Sequence, residues 1–429
     1  MAIWRNKIRR SSGVSMLMLA MMILCSRITS AQARNSCLDC HSVLPDELGV
    51  SEEKFSHDIH AQKGLTCVSC HGGDANADEA EKAMSAKAGF KGKIDRKQVP
   101  QLCGSCHSDP TYMRQFNPGL RTDQLSQYKT SIHGTRLASG DTKVAVCVDC
   151  HSVHDLRPPS DPKSKVHPAN VAGTCARCHA DAGYMSSYKI PTNQFAGYSK
   201  SVHHSALVER GDLSAPTCTT CHGNHAATPP GVASIANVCS SCHVFQAQLF
   251  AASPHQQAFA SAGLPGCVTC HSNHEIAHPS DQFLGSGAQS ICTQCHTDGD
   301  GGFVAAVKMK ADLDGLVASI NGAEEILDRA ESSGMEVSQP KLELAQAKDS
   351  LTKARVSIHS FDVAKVGVDV KAGMTTAAAD FAAGEQAMKE RNYRRIGLAF
   401  SLVAIVLVLT GLKLYINHIE QKSDPAGGK

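Results

Sequence analysis

The sequence has few aromatic side chains and no large excess of charge of either sign. Aromatic residues make up 5% of its 429 residues, and the single tryptophan is Trp4. The formal net charge is +2, but the first 33 residues hold five basic residues and no acidic one, which leaves 37 basic against 40 acidic residues after them. Nucleic-acid binding needs a basic surface, so this composition argues against a nucleic acid as partner.

Cysteine, by contrast, is abundant and regularly placed. Eighteen of the 19 cysteines form nine C-x-x-C-H pentads. The pentad cysteines are Cys37, Cys40, Cys67, Cys70, Cys103, Cys106, Cys147, Cys150, Cys175, Cys178, Cys218, Cys221, Cys239, Cys242, Cys267, Cys270, Cys292 and Cys295, and the pentad histidines are His41, His71, His107, His151, His179, His222, His243, His271 and His296. Two thiols at this spacing can form thioethers to the two haem vinyl groups while the next histidine reaches the iron. A lone C-x-x-C could be a redox dithiol or half of a zinc site, but nine in succession predict nine covalently attached haems c.

The pentads leave little protein for each haem. The 260 residues from Cys37 to His296 provide about 29 residues per haem, too few for a conventional side-chain core. The porphyrins should therefore form the core of a head over residues 34–300, with a mainly α fold of short helices and extensive loops. Ionised haem propionates would bring the oxidised protein to a net charge on the order of −12, which suits docking of a small redox partner through a basic face.

Residues 1–33 have the pattern of a secretory signal peptide. A basic stretch is followed by an apolar run from Val14 to Leu24 and by the A-x-A site Ala31-Gln-Ala33. The alternatives are an uncleaved anchor, disfavoured by the short apolar run, and a lipoprotein site at Cys25, disfavoured because Leu24 precedes it. Export agrees with haem attachment, which takes place outside the cytoplasmic membrane.

After the first pentad the chain repeats a larger unit. The unit is S-x-H, C-x-x-C-H-x-x-H and a second C-x-x-C-H. Three copies are clear and begin at Ser131, Ser201 and Ser253, whereas a divergent first copy has His57 and His60 before its pentads. This pattern predicts that the head contains one haem followed by four haem pairs.

Residues 301–395 lack cysteine and show a helical heptad pattern. The apolar positions are Leu313, Leu316, Ile320, Ala323, Leu327 and Ala330, then Leu344, Ala347, Leu351, Ala354, Ile358 and Phe361. Ser332 to Gly334 form a helix stop and Pro340 fits a first helical turn, so we predict an α-helical hairpin whose second helix continues toward the membrane. A plain stalk is favoured over a partner-binding or oligomerising coiled coil.

Residues 396–416 are predicted to be a single transmembrane helix. Ile396 to Leu412 contains 17 residues without a charge, and the segment extends to Ile416 if Lys413 snorkels. The flanking charges do not follow the positive-inside rule cleanly. The haem requirement instead predicts a head facing the periplasm, an anchor in the cytoplasmic membrane and a cytoplasmic tail over residues 417–429.

Eleven histidines outside the pentads lie in the head, enough to give every iron a second axial ligand. They are His57, His60, His133, His154, His167, His203, His204, His225, His255, His274 and His278. Two histidines close an iron and suit electron transfer, whereas an open iron can bind a substrate. We interpret His359 and His418, outside the head, as solvated.

The pentads, and the Phe55-x-His57-x-x-His60 motif before Cys67, resemble the bis-histidine multihaem cytochromes c, in particular the low-potential tri- and tetrahaem cytochromes. The resemblance covers residues 37–296 and implies which histidine serves which haem. It implies that His57, His133, His203 and His255 serve the haems at His71, His151, His222 and His271, and that His154, His225 and His274 serve those at His179, His243 and His296. His60 is then assigned to the haem at His107, and the haem at His41 is left to His167, His204 or His278. For each of these three, a surface role or a contact with a propionate is favoured over ligation.

Two functions of different classes fit this pattern. The first is a membrane-anchored electron conduit between a quinol-oxidising membrane complex and periplasmic or extracellular acceptors, without catalytic residues of its own. The alternative is a reductase of nitrite, hydroxylamine or a sulfur oxyanion at an open haem. A redox sensor is disfavoured because the tail after Ile416 is too short for an output domain.

Overall fold

The structure, a computed structural model, describes residues 35–228 and 234–423, and within these ranges it contains helices and no β-strand. The expected mainly α fold is therefore confirmed. The α-helices are α1 Ser36–His41, α2 Glu52–Ser56, α3 Ile59–Gln62, α4 Cys67–His71, α5 Ala80–Ala83, α6 Val99–His107, α7 Pro110–Arg114, α8 Gln124–Thr130, α9 Ile132–Ala138, α10 Cys147–His151, α11 Pro168–His179, α12 Ala182–Met185, α13 Gln194–Tyr198, α14 Val202–Val208, α15 Cys218–His222, α16 Val244–Ala251, α17 Pro254–Ala262, α18 Gly266–His271, α19 Gly301–Ser332, α20 Ser338–Ser357 and α21 Val363–Ser423. Short 3₁₀ helices lie at Asp46–Leu48, Ala86–Ala88, Ser186–Tyr188, Ile235–Ser241, Asp281–Phe283, Cys292–Gln294 and Ile358–Ser360. The chain divides into two compact units after Asn170.

The first unit joins the first two copies of the repeat through backbone hydrogen bonds. At the start of α3, the Ile59 amide donates to the Leu156 carbonyl oxygen over 2.8 Å. Leu156 lies two residues after His154, so this bond fixes where that histidine lies. The side-chain core is small: Val99, Leu137, Val144 and Val146 form its buried cluster.

The second unit repeats this link between the third and fourth copies. At the start of α14, the Val202 amide donates to the Ile276 carbonyl oxygen over 2.8 Å. Ile276 lies two residues after His274, as Leu156 does after His154. Here too the buried apolar cluster of the head is small, and it consists of Ala206, Leu207 and Ala215.

The helical region that follows is a three-helix bundle. The heptad residues predicted from Leu313 to Ala330 and from Leu344 to Ala354 are all buried, which confirms the pattern. The expected hairpin is present as α19 and α20, and the first part of α21 packs on both. The second helix does not continue toward the membrane: α20 ends at Ser357, Phe361 adopts a left-handed conformation with φ +53°, and α21 begins at Val363.

Charge pairs and close contacts set the directions of the bundle helices. Lys341 on α20 contacts Asp328 and Glu331 on α19 at 2.8 and 2.6 Å, and Lys348 contacts Glu324 at 2.7 Å, so these helices are antiparallel. Two glycines of α21 allow it to approach α19. A Cβ atom at Gly373 would lie 2.8 Å from Leu316, and one at Gly384 would lie 2.7 Å from Ile326. Both numbers rise together along the two helices, so α21 runs parallel to α19.

Among the described residues, one helix is long and apolar enough to cross a membrane. It spans Val363–Lys422, and its most apolar window has a mean hydropathy of 2.3 and is not buried in the protein. The large apolar side chains from Ile396 to Ile416 are exposed. This supports a membrane-anchored protein. The proposed signal peptide lies outside the described residues.

Candidate haem-binding sites

Most pentads lie at the carboxyl end of a helix or form one short helix. The pentad of His107 ends α6 and that of His179 ends α11, while α4, α10 and α15 are pentads alone. The eighteen pentad cysteines, all within the described residues, form no disulfides, and each is at least partly exposed. They are therefore available to form thioethers.

In two of the three S-x-H motifs, the serine hydroxyl caps the helix that carries the histidine. Ser131 and Ser201 are 6% and 2% exposed, and their hydroxyls accept hydrogen bonds from the amides of Gly134 and His204 over 3.1 and 3.2 Å. Each hydroxyl also donates to a carbonyl three residues earlier. An N-cap of this kind fixes the first turn of the helix and hence the direction of the histidine two residues later.

In the divergent first copy, Asp58 takes the place of that serine. Asp58 is 2% exposed, and its carboxylate accepts from the His60 amide over 2.8 Å and from the Leu156 amide over 2.9 Å. His60, rather than His57, is therefore the structural equivalent of His133 and His203. His57 is exposed, with its Nδ1 2.8 Å from the Glu53 carbonyl oxygen.

An aromatic residue three positions before the cap completes the motif in two copies. The hydroxyls of Tyr128 and Tyr198 donate to the carbonyl oxygens of Ala145 and Pro216, each over 2.9 Å. Both carbonyls lie two residues before the first cysteine of the next pentad. Burial raises the pKa of Tyr128 and of Tyr198 to about 12, so both phenols remain donors at neutral pH.

Six pairs of imidazole rings lie at the separation that a shared iron requires. Two imidazoles on opposite sides of one metal, with bonds of about 2 Å, have ring centroids about 6 Å apart. The observed pairs and centroid distances are His60 and His107, 6.0 Å; His71 and His154, 6.1 Å; His203 and His243, 6.4 Å; His222 and His274, 6.0 Å; His255 and His296, 5.9 Å; and His271 and His359, 6.1 Å. Each pair joins a pentad histidine to one outside the pentads. The geometry fits haem ligation.

The positions of these rings differ from four of the ligand assignments implied by the resemblance. His60 lies beside His107, as expected. The rings of His203 and His255 lie beside the second pentad of their own copies, at His243 and His296, rather than beside the first.

Two of the histidines that follow a pentad also lie beside a different pentad from the one that the resemblance implies. His154 lies beside His71 and His274 beside His222, in both cases the first pentad of the preceding copy rather than the next pentad in the chain. The physical reason is the backbone link described above, which brings each post-pentad segment back to the helix start of the earlier copy.

His359 is the functional candidate that the sequence analysis missed. It was interpreted as solvated, but it is half-buried and lies in the turn between α20 and α21, beside His271. A signal was present, because Ser357-Ile358-His359 has the same three residues as Ser131-Ile132-His133.

The remaining histidines outside the pentads have varied surroundings. His133 lies in α9, and the His225 amide contacts Asn224. His167 is 8% exposed and accepts from the Ala169 amide, and His204 packs edge-on against Tyr198. His278 is exposed, with its Nδ1 2.9 Å from the Pro279 carbonyl oxygen. None of the six imidazole pairs includes His41.

Burial favours the protonation state that binds a metal. Desolvation lowers the pKa of His222, His271 and His274 below the ordinary value for histidine. An imidazole must be neutral to donate its lone pair to iron. The described sites therefore hold these rings in the ligating form at neutral pH.

Pentad cysteines from neighbouring motifs lie close together in a regular order. The first cysteines are within hydrogen-bonding distance in four pairs: Cys37 and Cys67, Cys103 and Cys147, Cys175 and Cys218, and Cys239 and Cys267. The second cysteines interact electrostatically across the alternate junctions, in the pairs Cys70 and Cys106, Cys221 and Cys242, and Cys270 and Cys295. Within each unit, consecutive pentads are thus spatial neighbours.

The comparisons with known proteins agree with this chemistry. Residues 7–95 match the family described as Cytochrome c-type protein NrfB-like, and residues 59–180 match the family described as Cytochrome c3. The C-type polyheme cytochrome OmcC of Geobacter sulfurreducens is 23% identical over 219 residues, which are 44% of this chain and 26% of that protein. The chain thus covers about a quarter of that relative's length. No solved structure matches this chain.

The pentads, the paired imidazoles and these similarities together support a multihaem c-type cytochrome. The family descriptions imply covalently bound haem c as the cofactor of the pentads.

Proposed function

We propose that the protein is a membrane-anchored, periplasm-facing cytochrome with nine haems that relays electrons from a quinol-oxidising membrane partner to periplasmic or extracellular acceptors. The observation that carries this proposal is the set of imidazole pairs, which would close the irons of six pentads to substrates. Haem c supplies reversible one-electron chemistry when its iron is held between two histidines.

The order of the pentads supports a relay. Because the first cysteines and then the second cysteines of successive pentads approach each other, the protein places consecutive attachment points side by side within each unit. The pentad segments and capped helices supply rigid ligand positions, and burial keeps the imidazoles neutral. This arrangement suits electron transfer along a row of cofactors more than turnover at one of them.

The length of the bundle is an argument for a redox partner that extends from the membrane to the head. Helix α21 rises about 50 Å between Val363 and Ile396, at 1.5 Å per residue. The sites of His271 and His296 contact the end of the bundle that is remote from the apolar segment. Electrons from a membrane quinol would therefore need a second protein to reach these sites.

The proposed location rests on the chemistry of haem attachment. Residues 1–33 have the pattern of a signal peptide, and the pentads require export before haem is attached. A helix anchored at residues 396–416 would then place the head in the periplasm and the chain's last residues in the cytoplasm. The anchor itself lies in the cytoplasmic membrane.

The site of His41 supports the alternative function. Its ring is not among the six pairs, and its Nδ1 lies 2.8 Å from the Leu48 carbonyl oxygen. An iron held there by one histidine would be open to nitrite, hydroxylamine or a sulfur oxyanion.

Low-temperature electron paramagnetic resonance of the oxidised, detergent-solubilised protein distinguishes the two functions. Total haem should be measured as the pyridine haemochrome, with nine per chain expected. A spectrum with low-spin haems alone supports the relay. A stoichiometric high-spin signal, together with reduction of nitrite, hydroxylamine or sulfite, would instead establish the reductase. Fewer than nine haems would contradict the proposed stoichiometry.

A further inference from the structure

We propose that His359, supplied by the helical bundle, is the second axial ligand of the haem attached at Cys267 and Cys270. This inference rests on the proposed role of the imidazole pairs and extends the haem-binding machinery beyond the head. The bundle would then hold an iron in place and not serve only as a spacer.

The His271 and His359 rings have the geometry of the other proposed ligand pairs. Their centroids are 6.1 Å apart and their planes are inclined by 23°. The corresponding pair in the preceding copy, His222 and His274, has values of 6.0 Å and 11°. One iron could therefore be shared in the same way at both sites.

The repeat explains why a ligand is needed from outside the head. The first pentad of one copy is paired with a histidine of the next copy in each unit, since His71 faces His154 and His222 faces His274. His271 belongs to the last copy, and residues 303–395 contain no further pentad. His359 occupies the position that a fifth copy would have filled.

The His359 ring is also oriented for ligation. Its Nδ1 donates to the Val356 carbonyl oxygen over 3.0 Å, so the proton is held on that nitrogen. Nε2 is then the free nitrogen, the arrangement usual for a metal-binding imidazole whose other ring nitrogen is hydrogen-bonded.

The turn that carries His359 is fastened to the head on both sides. On one side, Arg355 forms a bidentate ion pair with Asp281, with N–O distances of 2.9 and 2.7 Å. On the other, the Phe361 ring packs against His255 with a centroid distance of 3.8 Å and an angle of 34° between the planes. A two-point attachment of this kind is expected of a ligand that must be held in place.

A second contact shows that the bundle also reaches the neighbouring site. Asp300, the N-cap of α19, accepts a hydrogen bond from the Phe303 amide over 2.8 Å and lies 3.0 Å from Nδ1 of His296. The His296 ring packs so closely on Gly302 that a Cβ atom there would lie 2.1 Å from it. The last two haem sites of the head are therefore both built against the bundle.

Substitution of His359 tests the proposal in the full-length, haem-loaded protein. His359→Ala should convert one haem per chain from low spin to high spin in the oxidised state, and the reduced variant should bind one more equivalent of carbon monoxide than the parent. Added imidazole should restore the low-spin signal. His418→Ala, which changes an exposed histidine outside the head, should leave both measurements unchanged.

His359→Met provides a second test if the alanine variant fails to retain its haems. A thioether ligand should keep the iron low-spin but raise the midpoint potential of one haem. Unchanged spin counts and potentials in the variants, with the parent's haem content retained, would overturn the proposal. Electron transfer by the parent protein is measured separately, so a failure of the relay function would be distinguishable from a failure of this ligand assignment.

Discussion

The head and the bundle of this protein are stabilised in different ways. The main apolar cluster of the bundle contains 18 buried residues, whereas the two buried clusters described in the head contain four and three. The head also uses helices of at most 12 residues, while α19 has 32 and α20 has 20. Isolated helices shorter than about 12–15 residues are marginal in water, so the head depends on its cofactors for a core and the bundle does not.

The largest effect on this difference should come from preventing haem attachment. In cells unable to attach haem c, the head should lose its short helices while the bundle and the apolar helix remain. About half of the α-helical residues lie in the head, so helical circular dichroism should fall by about half. Limited proteolysis should then remove the head and leave a resistant fragment that begins near Gly301. A haem-free head that resists protease would contradict this account.

A cavity in the bundle should destabilise the bundle and leave the haem sites of the head unchanged. Leu316 is fully buried against Gly373 of α21, and Leu316→Ala should lower the free energy of unfolding of the bundle by about 2–5 kcal/mol. The haem absorption spectrum should not change, because Leu316 is remote in sequence and packing from the pentads. Thermal unfolding followed by circular dichroism measures the effect.

Leu342→Ala is the matched control for that substitution. Leu342 lies on α20 but is 67% exposed, so its replacement should change the stability by less than about 0.5 kcal/mol. Equal effects at Leu316 and Leu342 would show that the bundle core is not where the structure places it.

The parts that could be predicted from the sequence are those with a local cause. The pentads follow from covalent haem chemistry, and the heptads from Leu313 to Ala354 follow from helical periodicity. The break before α21 has a weaker local signal in Asp362, whose carboxylate accepts from the Ala364 amide over 2.9 Å. Phe361, with its positive φ, gives no such signal because neither glycine nor proline marks the turn.

Ligand pairing could not be predicted, because it depends on tertiary contacts between copies of the repeat. The same local motif precedes His203 and His255, yet nothing in it specifies whether the first or the second pentad lies opposite. That choice is set by links such as Val202 to Ile276, which join residues far apart in the chain. The Ser-Ile-His triplet marks His359 as a candidate, but its proximity to His271 could not be predicted, because the two residues lie far apart in the sequence.

Asp380 provides the test with the smallest expected effect, because it is a buried carboxyl group among the apolar side chains of the bundle. It is 1% exposed, and burial and then the nearby Glu343 raise its pKa. Since the folded-state pKa lies above the unfolded one, the folded bundle binds the proton more tightly. Its stability should be highest below the unfolded pKa and should fall as the pH rises through the raised value.

Asp380→Asn should remove this pH dependence and increase the free energy of unfolding at pH 7 by about 1 kcal/mol. Denaturant unfolding of the bundle, followed by helical circular dichroism, would measure both effects. The titrations should cover about pH 4 to about pH 8 at intervals of roughly one pH unit. Asp349→Asn is the control, because Asp349 is exposed on α20 and should leave the pH profile as in the parent. If the Asp380 variant keeps the parent's slope, another group controls the acid response of the bundle.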